Sequence, residues 1–307
     1  MRLPLAVIPT VIRLARPLAT AAGTIGDRPG WIVDAGGARG EAAPLPGFGG
    51  EAPEACAAIL SDLRGRGVEA DLPGDDLGDL EPVLIDHPCA RAAVAGAAAA
   101  WRARRAGTTV SRWLAPDAAA LVQVNGLGDD APEPVVKLKV GGDPDGDAAR
   151  VRRLADRRVR VDANGGWTAA QAHRFLDACG PLDLIEDPVA IDDPALASVA
   201  ARAPVALDAA IRRPEDVERA TGCAAVVLKP SWLGGWTPTR RAAERARALG
   251  LRVVVSSGLE SAVGLGHAIA IAAALDPLGG EWHGLGTAAW LADPGGLMPV
   301  DGRVAAW

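Results

Sequence analysis

Five short apolar runs, each closed by a charged residue, recur through the second half of this chain and limit its fold more than any other feature. They are Val136-Lys137-Leu138-Lys139, Val159-Arg160-Val161-Asp162, Leu184-Ile185-Glu186, Val205-Ala206-Leu207-Asp208 and Val226-Val227-Leu228-Lys229. The step from Lys139 to Asp162 is 23 residues, followed by 24 to Glu186, 22 to Asp208 and 21 to Lys229. One strand, one helix and two loops take about that length. A β-branched run that stops at a carboxylate, as at Asp162 before Ala163-Asn164-Gly165-Gly166, is how a buried parallel strand ends and opens into a loop. Charges at successive strand ends of a closed parallel barrel converge on one mouth.

Extended over the whole chain, the pattern predicts strands near 121–125, 135–140, 158–163, 182–187, 204–208, 224–229, 252–257 and 281–286. Helical segments fill the gaps, for example 168–179, 237–249 and 261–275. Eight such units favour a closed barrel over an open doubly wound sheet, and no Gly-x-Gly-x-x-Gly follows the first strand. The opening segment does not repeat. It reads as a strand over 5–15, a mobile loop rich in Ala, Thr and Gly over 18–30, and a hairpin across Gly36-Gly37. A Pro- and Gly-rich loop over 43–50, a helix over 51–63, a poorly defined stretch over 65–82 and an Ala-rich helix over 87–105 follow. The expected division is an α+β domain over 1–88, to which 289–307 returns, and a barrel over 89–288 that carries the site. A chain of 307 residues can bury about 75% of its unfolded surface, enough for both.

The strand-end charges carry the chemistry. Asp162, Glu186 and Asp208 come from three consecutive strands and repel one another at one mouth unless a cation joins them. Hard oxygen ligands with room for water and a substrate carboxylate suit Mg²⁺. Three solvated acids that cap loops are the alternative. Of the 32 Lys and Arg residues only Lys137, Lys139 and Lys229 are lysines, and all three lie in these runs. Arginine keeps its proton, whereas a desolvated lysine can act as a base near neutral pH. Lys137 and Lys139 are two apart on a strand, so both point to one face. A proton beside a carboxylate is too weakly acidic for an amine alone. A bound divalent metal stabilises the enediolate that forms, and nearby cations lower a lysine's pKa. His87, His173, His267 and His283 form no spaced cluster.

Bulk composition narrows the partners. A net charge of −6 with no basic tract argues against nucleic acid. The apolar stretch over 92–100 is too short to span a bilayer, and Met1-Arg2-Leu3-Pro4-Leu5 lacks a signal-peptide pattern. Cys56, Cys89, Cys179 and Cys223 are scattered, as expected of reduced core residues in a cytoplasmic protein.

With these residues in hand, a resemblance applies. Lys137-Leu138-Lys139, Asp162-Ala163-Asn164, Glu186-Asp187-Pro188, Asp208 and Lys229-Pro230 resemble the enolase superfamily, in its muconate-cycloisomerase-like branch with lysines on both sides of the site. Members of that superfamily use a Lys or His base together with Mg²⁺. Within it the chain is most similar to the o-succinylbenzoate synthase family. Gly40-Glu41-Ala42-Ala43-Pro44-Leu45-Pro46-Gly47-Phe48, Arg160 and Ser256-Ser257-Gly258-Leu259-Glu260-Ser261 carry that likeness. The resemblance implies an α/β fold, a modified TIM (β/α)7β barrel with an α+β N-terminal capping domain. It implies Asp162, Glu186 and Asp208 as ligands of Mg²⁺, Lys139 as base and Lys229 as a cation beside the intermediate. It implies Lys137, Arg160, Ser257 and Gly258 as contacts for a small-molecule carboxylate substrate. The implied reaction is dehydration of a cyclohexadiene carboxylate to 2-succinylbenzoate in menaquinone biosynthesis, by a monomer or small homo-oligomer. Racemisation of N-succinylamino acids or epimerisation of dipeptides on the same site is the closest alternative. A Schiff-base aldolase using Lys229 leaves the three acids unexplained. Relatives commonly carry Asp-Glu-Ser at the third ligand, where this chain has Asp208-Ala209-Ala210.

Overall fold

The computed structural model describes residues 1–20, 23–48 and 50–307, without the side chains of residues 19 and 20. The chain packs as two compact units. One comprises Met1–Gln123, Lys229–Arg241 and Val255–Trp307, the other Val124–Leu228 and Ala242–Val254.

The first unit is built on a four-stranded sheet, in the order Ala38–Ala42, Arg28–Ala35, Arg2–Ile12, Gly67–Glu69. Arg28–Ala35 and Ala38–Ala42 form the expected hairpin, with Gly36 and Gly37 at φ +60° and +80°, the left-handed values a two-residue hairpin turn needs. The Ala-rich helix Pro88–Arg105 buries a face of small side chains, Ala90, Ala93, Ala97 and Ala98 among them. Gly40 lets the hairpin reach that helix. A Cβ on Gly40 would stand 2.0 Å from the Ala93 carbonyl oxygen, so only a residue without one fits.

The stretch over 18–30 is not a loop throughout. Leu18–Thr20 and Gly23–Ile25 pair antiparallel, and Arg28 already begins the next strand. Thr24 and Ile25 are β-branched and favour extended backbone. Residues 21 and 22 of that expected loop, and residue 49 of the expected loop over 43–50, lie outside the described residues.

The second unit is built on the repeat. A seven-stranded sheet runs in sequence order through Gly126–Leu127, Val135–Lys139, Arg158–Asp162, Leu184–Glu186, Val205–Leu207, Ala225–Leu228 and Arg252–Val255. Pairing is parallel from Gly126–Leu127 through Ala225–Leu228. Leu184, Ala206, Ala225, Val227 and Val254 form a buried apolar cluster. The helix Ala169–Cys179 starts at Thr168, whose hydroxyl accepts from Gln171 N–H while the Gln171 side chain accepts from Thr168 N–H. This reciprocal cap satisfies two otherwise orphaned donors. The helix buries Phe175 against the Trp167 ring, 4.6 Å away between centroids.

Both end strands of the predicted series of eight form, but in a sheet of their own. Leu121–Val124 lies between Trp282–His283 and Arg303–Ala305 in a three-stranded sheet, and Gly284 forms a parallel bridge with Ser256. Arg303–Ala305 runs antiparallel to residues 121–123. Leu121 is half exposed while Val122 is buried, the alternation of an antiparallel strand with one wet face. Gly126–Leu127 takes the first place in the seven-stranded sheet instead. Among the described residues no helix is long and apolar enough to cross a membrane.

Candidate active site

Register assembles the second unit's charged groups. Asp162 pairs with Lys139 on one side and Glu186 on the other, and Arg160 pairs with Lys137 and Leu184. Side chains two apart on a strand share a face, so Lys137, Lys139, Arg160, Asp162 and Glu186 form two adjacent rows. Asp208 follows Leu207, the last residue of the next strand. One carboxylate oxygen from each of Asp162, Glu186 and Asp208 lies within 4.8 Å of the other two.

Such a cluster needs positive charge, and the lysines supply part of it. Lys137 Nζ is 2.7 Å from Asp162 and also donates to Glu186. Burial opposes its charge, but Asp162, Glu186 and Asp208 outweigh burial and raise its pKa. Burial would lift Asp162 too; Lys137 and Lys139 instead hold it well below the usual carboxylate range. Glu186 is pushed up to about 7 by burial and by Asp162 and Asp208, against the pull of Lys137. An all-oxygen set that already gathers an ammonium ion fits a hard divalent cation such as Mg²⁺.

The two lysines of Lys137-Leu138-Lys139 differ. Lys137 is enclosed, with its side chain 11% exposed, while that of Lys139 is 60% exposed. Lys139 Nζ donates to Asp162 at 2.7 Å and to Asn164 Oδ1 at 3.2 Å. Asn164 is also the turn residue, at φ +48°, with its N–H on Asp162 Oδ1. Arg160 is fully buried and donates from Nε to Asp183 Oδ2 at 2.6 Å. That pair gives Arg160, expected as a substrate contact, a structural role inside the unit.

Lys229, Ser257 and Gly258 belong to the first unit. Lys229 is buried, with Nζ 4.5 Å from the centre of the Trp232 ring. The donors of Ser257 and Gly258 are engaged within the chain. Ser257 Oγ donates to Glu260 Oε2 at 2.7 Å, and Gly258 N–H reaches both Glu260 oxygens at 2.9 Å. Ser231 Oγ donates to the same carboxylate. Arg28 Nη2 donates to the Leu259 carbonyl at 2.5 Å and the Gly258 carbonyl at 3.3 Å.

Sequence reasoning assigned nothing to Glu260, Arg28 or Asp187. Ser257 standing three residues before Glu260 is the local pattern that points to the first. Arg28 meets partners more than 200 residues away, which no spacing reveals. Asp187 lies within the run Glu186-Asp187-Pro188, but its partners on the next strand end were not legible.

Residues 117–306 match the family described as enolase C-terminal domain-like. A curated o-succinylbenzoate synthase from Salmonella arizonae is 32% identical over 254 residues, covering 78% of this chain and 73% of the relative. A mandelate racemase/muconate lactonizing protein from Herpetosiphon aurantiacus superposes with a TM-score of 0.83 at 22% identity, over 99% of this chain and 95% of that one. A dipeptide epimerase from Enterococcus faecalis V583, complexed with Mg and the dipeptide L-Leu-L-Tyr, gives 0.84 at 19% identity over 100% and 98%. At such identities these structures speak for the fold alone. The chain belongs to the enolase C-terminal domain-like family, and it is similar to curated relatives named o-succinylbenzoate synthase.

Proposed function

We propose that this chain is a Mg²⁺-dependent lyase, an o-succinylbenzoate synthase, that removes water from 2-succinyl-6-hydroxy-2,4-cyclohexadiene-1-carboxylate to give 2-succinylbenzoate in menaquinone biosynthesis. The observation that carries this reading is the convergence of Lys137 and Lys139 on a triad of acids from three successive strands. The likeness to o-succinylbenzoate synthases, which extends over most of the chain, supports it. We read the fold as a modified (β/α)7β barrel over 89–288, capped by 1–88 and 289–307. The family match and the fold neighbours support that reading.

Asp162, Glu186 and Asp208 would hold the metal. When bound, Mg²⁺ supplies the fixed positive charge that makes a proton beside a carboxylate removable. Lys137, enclosed by carboxylates and held in its charged form, adds positive charge for the substrate carboxylate and does not serve as base. Lys139 is assigned as the base by the family resemblance; its exposed amine is open to a substrate, and Asp162 and Asn164 aim it. It removes the ring proton beside the carboxylate and returns a proton to the hydroxyl that departs from the same face. Lys229 supplies positive charge to the developing negative charge of the ring. Arg160 adds positive charge behind Lys137. The loop at Ser257 and Gly258 receives the succinyl tail by shape, since Glu260 already engages its hydroxyl and amide. A small carboxylate is thus the partner, in a cytoplasmic monomer or small homo-oligomer.

The test is to incubate purified protein with the cyclohexadiene substrate and Mg²⁺ and follow 2-succinylbenzoate. Racemisation of N-succinylamino acids without that product would replace this reading with the racemase.

A further inference from the structure

Resting on the metal reading above, we infer that Asp187 is the positioning residue for the third ligand, Asp208. Asp162 and Glu186 are strand residues paired with each other, so the sheet fixes them. Asp208 lies one residue beyond its strand, Val205–Leu207, where the ladder has stopped. Its backbone needs another holder, and Asp187 provides it. Asp187 Oδ1 accepts the Asp208 N–H at 3.1 Å and Oδ2 accepts the Ala209 N–H at 2.9 Å. Two adjacent amides on the two oxygens of one carboxylate fix both the position and the rotation of the peptide between them. Bonds from amides to an ionised carboxylate are also stronger than neutral ones.

The backbone of Asp187 reaches the other strand ends. Its N–H donates to the Ala206 carbonyl at 3.0 Å, and its own carbonyl accepts Gly165 N–H at 2.7 Å, in the turn just past Asp162. This one residue, just past the strand of Glu186, therefore bonds to the segments that carry the other two acids. Its φ is +39°, a left-handed value uncommon outside glycine but tolerated by aspartate. Plain strand alternation would send its side chain to the face opposite Glu186. The left-handed backbone departs from that alternation, and the carboxylate reaches the neighbouring strand end. Ala209 carries only a methyl group and cannot hold this segment itself, so the hold comes from the adjacent strand. The Asp187 carboxylate is buried and lies outside the triad as a holder of one of its members.

The experiment titrates the whole purified protein with Mn²⁺, reading free ion by electron paramagnetic resonance, without substrate or turnover. Asp187→Asn keeps the size but turns one acceptor into a donor that faces an amide N–H. Loss of a group that orients a ligand typically costs about 10–100-fold in metal affinity, and that weakening is expected here with secondary structure and melting temperature near those of the parent. Asp187→Ala should weaken binding at least as much. A parent-like Mn²⁺ affinity in folded Asp187→Asn overturns the inference. Failure of the parent protein to bind Mn²⁺ overturns the metal reading itself, a separate outcome. If neither variant folds, amide hydrogen exchange on the unaltered protein decides. Protection of the Asp208 and Ala209 amides with and without Mn²⁺ is expected, and exchange at unprotected rates overturns the inference.

Discussion

Asp183→Asn offers a sharp test of how the strand rows are held. Asp183 precedes the strand Leu184–Glu186 and receives three guanidinium groups, from Arg158 at 2.6 Å, Arg160 at 2.6 Å and Arg252 at 3.3 Å. Their burial separates their worth. The Arg158 side chain is 52% exposed, and a pair of that kind contributes about 0–1 kcal/mol. Arg160 is 0% exposed, and removing the partner of a buried charge costs about 3–5 kcal/mol. The asparagine keeps the shape but not the charge, so the loss should fall in that second range. At about 2 °C per kcal/mol for a large domain, the melting temperature should drop by about 6 °C or more. The pH dependence follows from the direction of the shift. Burial alone would raise the Asp183 carboxyl, but the arginines hold it well below the usual range. A depressed carboxylate stabilises the fold above its unfolded pKa of about 3.9, and that contribution is lost as pH falls toward the folded value. Urea unfolding of both proteins from pH 7 down to 3 measures it. The stability gap should be constant above about pH 5 and should narrow below about pH 4. A gap under about 1 kcal/mol at pH 7, or one that widens with acid, would refute the assignment of a buried, charge-bearing Arg160–Asp183 pair.

Lys139→Arg keeps a positive charge but cannot act as a base, so turnover should fall by at least about 10²–10⁴-fold. Lys229→Arg should retain more activity than Lys229→Ala if Lys229 contributes charge alone; both are read by product formation after folding is checked by circular dichroism. Asp162→Ala, Glu186→Ala and Asp208→Ala should each impair Mn²⁺ binding, measured by calorimetry, while the far-ultraviolet circular dichroism stays native. Gly40→Ala should destabilise the first unit by about 1–3 kcal/mol or more, read by thermal melting, because its Cβ has backbone rather than a movable side chain in its way.

The central strands were legible because an apolar run closed by a charge states both burial and the point where burial ends. Asp162, Glu186 and Lys139 came together as the spacing implied, since parallel register aligns the same position of each repeat. The end strands were legible as strands, but not all of their pairing. Leu121–Val124 takes Trp282–His283 on one side and, on the other, Arg303–Ala305, a segment that shares no local pattern with the repeat. The contrast between Lys137 and Lys139 was equally hidden. Alternation gives both the same face, and only the third dimension encloses one between carboxylates and leaves the other exposed. The family resemblance implied that the Ser257 and Gly258 donors meet a ligand. Glu260 is close enough in sequence to claim them first, and it does.

The central claim is tested most directly by one assay. Purified protein, first stripped with chelator and then supplied with Mg²⁺, is given 2-succinyl-6-hydroxy-2,4-cyclohexadiene-1-carboxylate while 2-succinylbenzoate is followed by absorbance. The account predicts no turnover after stripping and restored turnover with Mg²⁺. Full turnover in excess chelator, or none in the metal-loaded protein, would contradict it.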